Sequence, residues 1–537
     1  MTAAAGQAQE PGMRFFNTAG PCEPERHFMV PAAERLPDAR RTIDQGGYFV
    51  VHAPRQTGKT TTLRALARQL AAEEKYAALH FSCEEGEPAQ DDFVRAQRAV
   101  LSAIRVRAAQ ELPPELRPPP WPEAEDLTLL GAGLRAWTHA CPRPLVLFFD
   151  EIDALRGESL RSVLRQLRAG YPDRPKDFPW SVVLCGLRDV RDYKVASGGD
   201  PSRLGTASPF NIKVVSERLS NFTEAQVRAL YQQHSDEAGQ PFEEAALVRA
   251  FEVTCGQPWL VNALAREVIE RMGVAPPAPI TAEHIEQAKE QLILTRATHL
   301  DSLVARLAEP RVRRIIEPVL AGTMEGGGAG YNDDIEYLRD LGLIAPDNPV
   351  RVANPIYREV IVRVLAAELE PRITAEPRSF LLPDGRLDLG RMLREFADFW
   401  REHGDVLQNN LVYHEVAPQL VLMAYLQRIV NGGGYVDREY GVGRGRIDLC
   451  VRMPCVDRDG RRAWQREALE LKVWAPGKPD PLGRGLAQLE GYLERLGLDH
   501  GTLVIFDRRP EAEPIEARTR FEEAQTPRGY AVTVLRA

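Results

Sequence analysis

Two clusters of residues in this chain have the types and spacing to do chemistry on phosphate. The first is Ala53-Pro54-Arg55-Gln56-Thr57-Gly58-Lys59-Thr60-Thr61, followed well downstream by Leu145-Val146-Leu147-Phe148-Phe149-Asp150-Glu151. A loop that holds phosphate needs backbone N–H groups turned into a tight concavity at a helix N-terminus. It also needs a lysine that reaches the outer phosphates and a hydroxyl for magnesium. Lys59 and Thr60 fill those two roles, Gly58 permits close backbone approach, and Pro54 to Thr61 are the expected nucleotide-contacting residues. An apolar strand running into Asp150 and Glu151 adds a magnesium-positioning carboxylate and a general base for water. Thr60 and Asp150 are therefore the candidate metal-holding pair here. A nucleoside triphosphate, ATP or GTP, with Mg2+ is the implied cofactor, ATP first, and its hydrolysis the implied reaction.

The second cluster is Asp448, then Glu470-Leu471-Lys472, then Gln488 and Tyr492. Cleaving a phosphodiester needs a hard cation, and hard cations take carboxylate oxygens. Asp448 and Glu470, on neighbouring strands, would share one magnesium or manganese ion. Lys472 would orient the attacking water and offset charge at the phosphate. The Leu471 carbonyl is a further oxygen, and Glu415, on a preceding helix, is a candidate carboxylate either for a second metal or for supporting the first metal's ligands. Alternation along Arg466–Trp474 puts Glu470 and Lys472 on one face of a strand.

The elements that must position these residues follow from pattern and punctuation. Between 30 and 215 strand and helix alternate. Strands are expected at 47–52, 76–81, 145–149, 181–185 and 212–215, with a helix over 61–75. Such alternation implies a parallel sheet covered by helices. From 220 to about 300 the chain reads helical, with Thr223 and Gln226 as a capping box. Asn332–Leu341 is a further helix, and Val350–Val352 a short strand after a Pro-Asp-Asn-Pro turn, an order that suits a winged helix. Toward the C-terminus a helix over 414–430, a hairpin of strands at 435–440 and 446–453, and a strand at 466–474 carry the second cluster. The expected segmentation is an extension at 1–30, an ATPase core at 31–220, a helical lid at 221–298, a winged-helix-like module at 299–369, a linker and lead-in helix at 370–400, and a nuclease-like domain at 401–537.

Bulk properties bound the answer. The chain has 537 residues, more than one core usually supports. It is 44% hydrophobic and 27% charged, ordinary for a globular protein. No apolar run reaches the roughly 18 residues that span a bilayer, and the first fifteen residues lack a secretory layout. Its seven cysteines show no metal-ligand spacing, so reduced thiols in a cytoplasmic protein are expected. Net charge is −8, which argues against a protein that coats nucleic acid globally. A local basic cluster at Arg438, Arg444, Arg446, Arg461, Arg462 and Arg466 nonetheless surrounds the second site.

At this point the residues resemble two known families. Arg14–Pro21, the loop Pro54–Thr60, Gly256-Gln257-Pro258-Trp259-Leu260 and Ala353–Tyr357 look like the prokaryotic AAA-like ATPases, relatives of the AAA+ and STAND groups, over about residues 14–365. The resemblance implies a sheet in the order 5-1-4-3-2, a helical lid, nucleotide contact by Gly256 and Pro258, and sites completed across a homo-oligomer. Ala53 departs from the pattern, which has glycine there. Arg188, after the third core strand, is a candidate sensor. Asp448, Glu470-x-Lys472 and Gln488-x-x-x-Tyr492 resemble the PD-(D/E)XK nuclease superfamily over about 378–537, with Ile447 where that pattern has proline. This implies a restriction-endonuclease-like α/β fold, a Gln488 that helps hold the site, and nucleic acid, DNA first, as partner. The chain thus reads as an α/β ATPase that regulates a nuclease. A second reading is a switch or signalling ATPase with a DNA- or partner-binding winged helix and a non-catalytic nuclease-like scaffold.

Overall fold

The computed structural model describes residues 14–188, 213–295, 305–307, 309–321, 333–367, 380–410, 421–423, 425–426, 435–442, 445–456 and 462–537. The chain divides into two compact units: Met1–Ala297 with Glu336–Ile344, and Thr298–Ile335 with Ala345–Ala537.

The first unit is built on five parallel strands, β1 (Tyr48–His52), β2 (Ala77–Ser82), β3 (Leu145–Asp150), β4 (Ser181–Gly186) and β5 (Lys213–Arg218). Their order across the sheet is β5-β1-β4-β3-β2, the order the family resemblance implies. The strands read as apolar runs because both faces are covered. Short helices α1 (Ala32–Arg35) and α2 (Ala39–Asp44) precede β1. Phe49, Val51, Val146, Phe148 and Val183 meet Leu63, Leu66 and Leu70 of α3 (Lys59–Ala72) on one face. Val50, Leu79, Leu147 and Leu184 meet α4 (Phe93–Glu111), α5 (Leu129–Ala140) and α6 (Gly157–Gly170) on the other. Each of these strands ends at the same edge as the N-terminus of α3, so their last side chains converge there.

After β5 come the lid helices α7 (Glu224–Ala238), α8 (Glu244–Thr254), α9 (Pro258–Arg266) and α10 (Ala282–Leu294). Thr223 and Gln226 form the expected capping box. The N-terminal segment straps onto the lid: Phe16 sits among Phe28, Tyr231 and His234, and Trp259 Nε1 donates to Thr18 O at 2.8 Å.

The second unit holds α11 (Pro310–Ala321), the first residues of α12 (Asp333–Leu341), α13 (Pro355–Ala367) and α14 (Leu389–Asn410). The strand expected at Val350–Val352 does not form a ladder among the described residues. Ala345 N donates to Arg351 O, and the chain then enters α13, whose Tyr357 N–H is capped by Asn354. Pro349 removes a donor that a longer ladder would need. The start of the linker, 370–379, and most of the helix expected at 414–430 lie outside the described residues, though 421–423 and 425–426 are helical.

A six-stranded mixed sheet follows: β6 (Tyr435–Val442), β7 (Gly445–Val456), β8 (Arg462–Trp474), β9 (His500–Asp507), β10 (Arg520–Gln525) and β11 (Ala531–Arg536), in the order β10-β11-β9-β8-β7-β6. β6, β7 and β8 form an antiparallel meander, and β9 returns parallel to β8 through helix α15 (Leu482–Leu496). Leu489 and Leu493 of α15 pack on Cys450, Ala468, Leu503 and Ile505. On the opposite face Trp400 of α14 meets Phe506, ring centroids 5.6 Å apart.

Candidate functional site

The loop between β1 and α3 turns sharply twice. Gln56 has φ +58° and Gly58 φ +84°, left-handed conformations that bring successive N–H groups onto one concave side. Lys59, buried as the first residue of α3, donates to Ala53 O at 2.9 Å and Pro54 O at 3.0 Å. Its ammonium is therefore held inside the loop's curve by carbonyls that a phosphate can replace. The Thr57 hydroxyl pins the turn by donating to Pro54 O at 2.8 Å, while Arg55 and Gln56 stand exposed at its crest.

Thr60 and Asp150 meet as the spacing requires. The Thr60 hydroxyl donates to Asp150 Oδ2 at 2.7 Å, and the Glu151 N–H donates to Asp150 Oδ1 at 3.0 Å. His80, on β2, adds a third partner, its Nε2 lying 2.9 Å from Asp150 Oδ2. Burial pushes the Asp150 carboxyl up, but the hydrogen bonds of His80 and Thr60 and the His80 charge outweigh it and hold it below the usual range. Next door the balance reverses. Burial raises the Glu151 carboxyl despite the Lys59 charge, and Glu151 sits at φ +52°. A left-handed conformation on a glutamate is strained and is kept where surroundings over-determine it. The pair thus separates into a carboxylate kept ionised for a cation and a more basic one suited to taking a proton from water.

Two groups at this site carry no signal in the sequence. His80 is one; it falls in an apolar strand and has no telling spacing. Arg35 is the second, donating from Nη2 to Thr57 O at 3.0 Å and to Ser220 O at 2.7 Å while lying over the Phe222 ring. Burial lowers its pKa to about 10. The N-terminal strap, whose Arg14–Pro21 carries part of the family resemblance, adds a further contact: the Cys22 N–H donates to Thr61 Oγ1 at 3.0 Å.

The lid segment reaches the same loop. Gln257 caps α9 by accepting from Leu260 N at 2.6 Å and donates from Nε2 to Gln56 O at 3.3 Å. Gly256 is left-handed at φ +69°, and its carbonyl accepts from Phe222 N at 2.8 Å. Pro258 follows as a buried residue of the first turn of α9. Arg188 is engaged elsewhere than at the loop: its guanidinium faces Asp340 at 3.8 Å and covers the Tyr337 ring at 4.4 Å.

In the second unit, Glu470 is buried and Lys472 donates to its Oε1 at 2.5 Å and to Leu471 O at 3.3 Å. Both side chains belong to the face of β8 that α15 covers. Gln488 lies on α15; its Oε1 is buried with no hydrogen-bond partner among the described residues. Tyr492, one turn on, packs against the same core. Asp448 lies on β7, where the register pairing Leu449 with Leu469, carried one residue further, sets it across from Glu470. Its side chain and the whole of Glu415 lie outside the described residues. Among the described residues no group of three or more His, Cys, Asp or Glu comes together as a metal cluster, and all seven cysteines are free thiols.

Residues 41–193 match the family model of an AAA domain. Among solved structures the chain is similar to a Walker-type ATPase of Pyrococcus abyssi, at 14% identity and TM-score 0.47, over 64% of this chain and 99% of that one. It is also similar to the Orc1 protein of Aeropyrum pernix in complex with DNA, at 14% identity and TM-score 0.34, over 63% and 93%. The RuvB Holliday junction branch migration motor of Thermotoga maritima follows at 15% identity and TM-score 0.33, over 61% and 93%. No curated protein matches the sequence. Loop geometry, strand order and the matched family model together define the first unit as an AAA-like P-loop ATPase module. No helix among the described residues is long and apolar enough to cross a membrane.

Proposed function

We propose that this protein couples ATP turnover in its first unit to metal-dependent cleavage of nucleic acid, DNA in the first instance, by its second. In the ATPase, Lys59 would bind the outer phosphates, Thr60 and Asp150 would hold the cation, and Glu151 would take the proton of the attacking water. Magnesium, when bound, draws charge from the β- and γ-phosphates. The hydroxyl–carboxylate pair of Thr60 and Asp150, oxygen donors only, fits a hard cation.

The observation that carries the nuclease reading is the Glu470–Lys472 pair, 2.5 Å apart on one face of β8 beneath α15. A buried carboxylate with an ammonium at its shoulder and an amide oxygen still seeking a donor, that of Gln488, is costly as mere packing. Asp448 and Glu470 would hold the cation, which supplies a polarised phosphate and an acidified water. Lys472 orients that water and offsets the developing charge, and Gln488 steadies the site. The test is cleavage of single- and double-stranded DNA and of RNA with Mg2+ or Mn2+. Asp448→Ala, Glu470→Ala and Lys472→Ala should each abolish it. Full cleavage by the Asp448→Ala protein would end the assignment.

A further inference from the structure

The face of β8 that bears Glu470 and Lys472 continues past the ground covered by α15, and there it changes character. It carries Trp464, 47% exposed, and Arg466, also exposed, with Arg452 beside them on β7. The antiparallel register sets Pro454 opposite Trp464 and Arg452 directly opposite Arg466. The Arg452 guanidinium lies 5.8 Å from the centre of the Trp464 ring.

Arg466 is exposed and, among the described residues, makes no ion pair, so its charge is open to an anion laid along the strands. Arg452, directly across the ladder, adds a second positive charge on the same face. Beside the two cations stands the half-exposed Trp464 indole, which offers a stacking surface to a flat, unsaturated group. Polyanion and flat base come together in one ligand chemistry, a polynucleotide. The base must be unpaired, because a duplex hides its base faces in its own stack. Position agrees: Trp464 lies six residues before Glu470 in the sequence, and strand rise makes that roughly 20 Å along β8. A net charge of −8 on the whole chain means such a strip would be a local feature and not part of a general basic surface.

We infer that Trp464, Arg466 and Arg452 form a track for single-stranded nucleic acid that leads along β8 to Glu470 and Lys472. The track rests on the nuclease reading only for its destination; its binding is separable. A chain laid on it stacks one base on Trp464, places phosphates at Arg452 and Arg466, and delivers the next stretch of backbone to the carboxylates.

The test uses the full chain in EDTA, so that binding is read without cleavage. The probes are labelled oligothymidylate and oligouridylate of about 15 nucleotides, a length that fills a typical single-strand site, and a duplex of equal length. The single strands should bind more tightly than the duplex, and whichever sugar binds better identifies the natural chemistry. Trp464→Ala should weaken single-strand binding roughly tenfold, whereas Trp464→Phe, which keeps a ring, should restore most of it. Arg466→Ala should lower the slope of log affinity against log salt by about 0.7, the share of one single-strand phosphate contact. Hydrolysis of bis(p-nitrophenyl) phosphate, too small to reach Trp464, should be unchanged in Trp464→Ala. Failure of the wild type to hydrolyse that ester with Mn2+ would remove the nuclease reading and leave the track to be judged by binding. Wild-type affinity for single strands in both Trp464→Ala and Arg466→Ala, or equal affinity for duplex and single strand, would overturn the track itself.

Discussion

Replacing Gly256 with alanine should loosen the lid from the phosphate loop. Gly256 sits at φ +69°, and a Cβ there would fall 1.9 Å from Phe222 O and 2.9 Å from Phe222 C. No side-chain rotation relieves an overlap with backbone. The left-handed conformation alone costs an alanine about 1–2 kcal/mol. Forcing the two segments apart adds about 1–3 kcal/mol for overpacking, and the bond from Phe222 N to Gly256 O adds about 1 kcal/mol when broken. The sum is roughly 3–6 kcal/mol, enough to lower the melting temperature of a unit this size by about 10 °C. Gly239 supplies the control. It is equally left-handed, φ +65°, but an added Cβ would meet nothing within 4 Å, so Gly239→Ala should cost only the conformational part, about 1–2 kcal/mol. Thermal unfolding followed by circular dichroism, with nucleotide affinity by titration, reads both variants. Gly256→Ala should also weaken ATP binding, because Gln257 loses its hold on Gln56 O. Equal melting temperatures for the two variants would refute the steric argument. A destabilised Gly256→Ala with unaltered ATP affinity would refute the link from lid to loop.

Further outcomes follow from the same geometry. Lys59→Ala should weaken ATP binding at least tenfold by removing the buried phosphate-facing cation, measured by fluorescent-nucleotide titration. Glu151→Gln should keep that binding while slowing phosphate release at least a hundredfold; turnover at the wild-type rate would give the base to another group. Calcium should support nucleic-acid binding at the second site without efficient cleavage, since its looser coordination positions water poorly; gel assays with calcium in place of magnesium decide this. In the lid, burial pushes the Glu286 carboxyl up, but the charges of Lys289 and Arg249 overcome it and hold its pKa at about 2. A pKa lowered on folding gives stability that is complete above the unfolded value near 4.3 and is lost as pH falls toward 2, up to about 3 kcal/mol here. Acid unfolding of Glu286→Gln should therefore be flatter across that window, and an acid transition identical to wild type would contradict the assignment.

How much of this is legible in the sequence depends on whether the signal is local. The β1 loop, the strand ending at Asp150 and the Thr223 capping box are readable because a short segment contains the whole pattern. So is the placement of Glu470 and Lys472, which needs only strand alternation. His80 is not readable, because its partner Asp150 lies seventy positions away and only the pairing of β2 with β3 brings them together. Arg35 escapes for the same reason: it grips two backbone carbonyls, Thr57 O and Ser220 O, that leave no trace in side-chain types. Arg188 reads as a sensor candidate from its position after a core strand, whereas in this structure it faces Asp340. Strands β9, β10 and β11 have no counterpart in the sequence reading, although Thr502–Phe506 is a plain apolar run. Val350–Val352 looks like a strand by composition, but one backbone bond and Pro349 stop it from extending.

In the proposed coupling, the nucleotide state of the first unit governs the chemistry of the second. ATP shifts a distant site only if it binds two arrangements of the protein with different affinity. The most direct measurement is the DNA cleavage rate of wild type and of Lys59→Ala at matched concentration, each with ATP, with ADP and with neither. Nucleotide should change the wild-type rate, and Lys59→Ala should abolish the dependence. Identical rates in all six conditions would contradict the coupling and leave two independent activities on one chain.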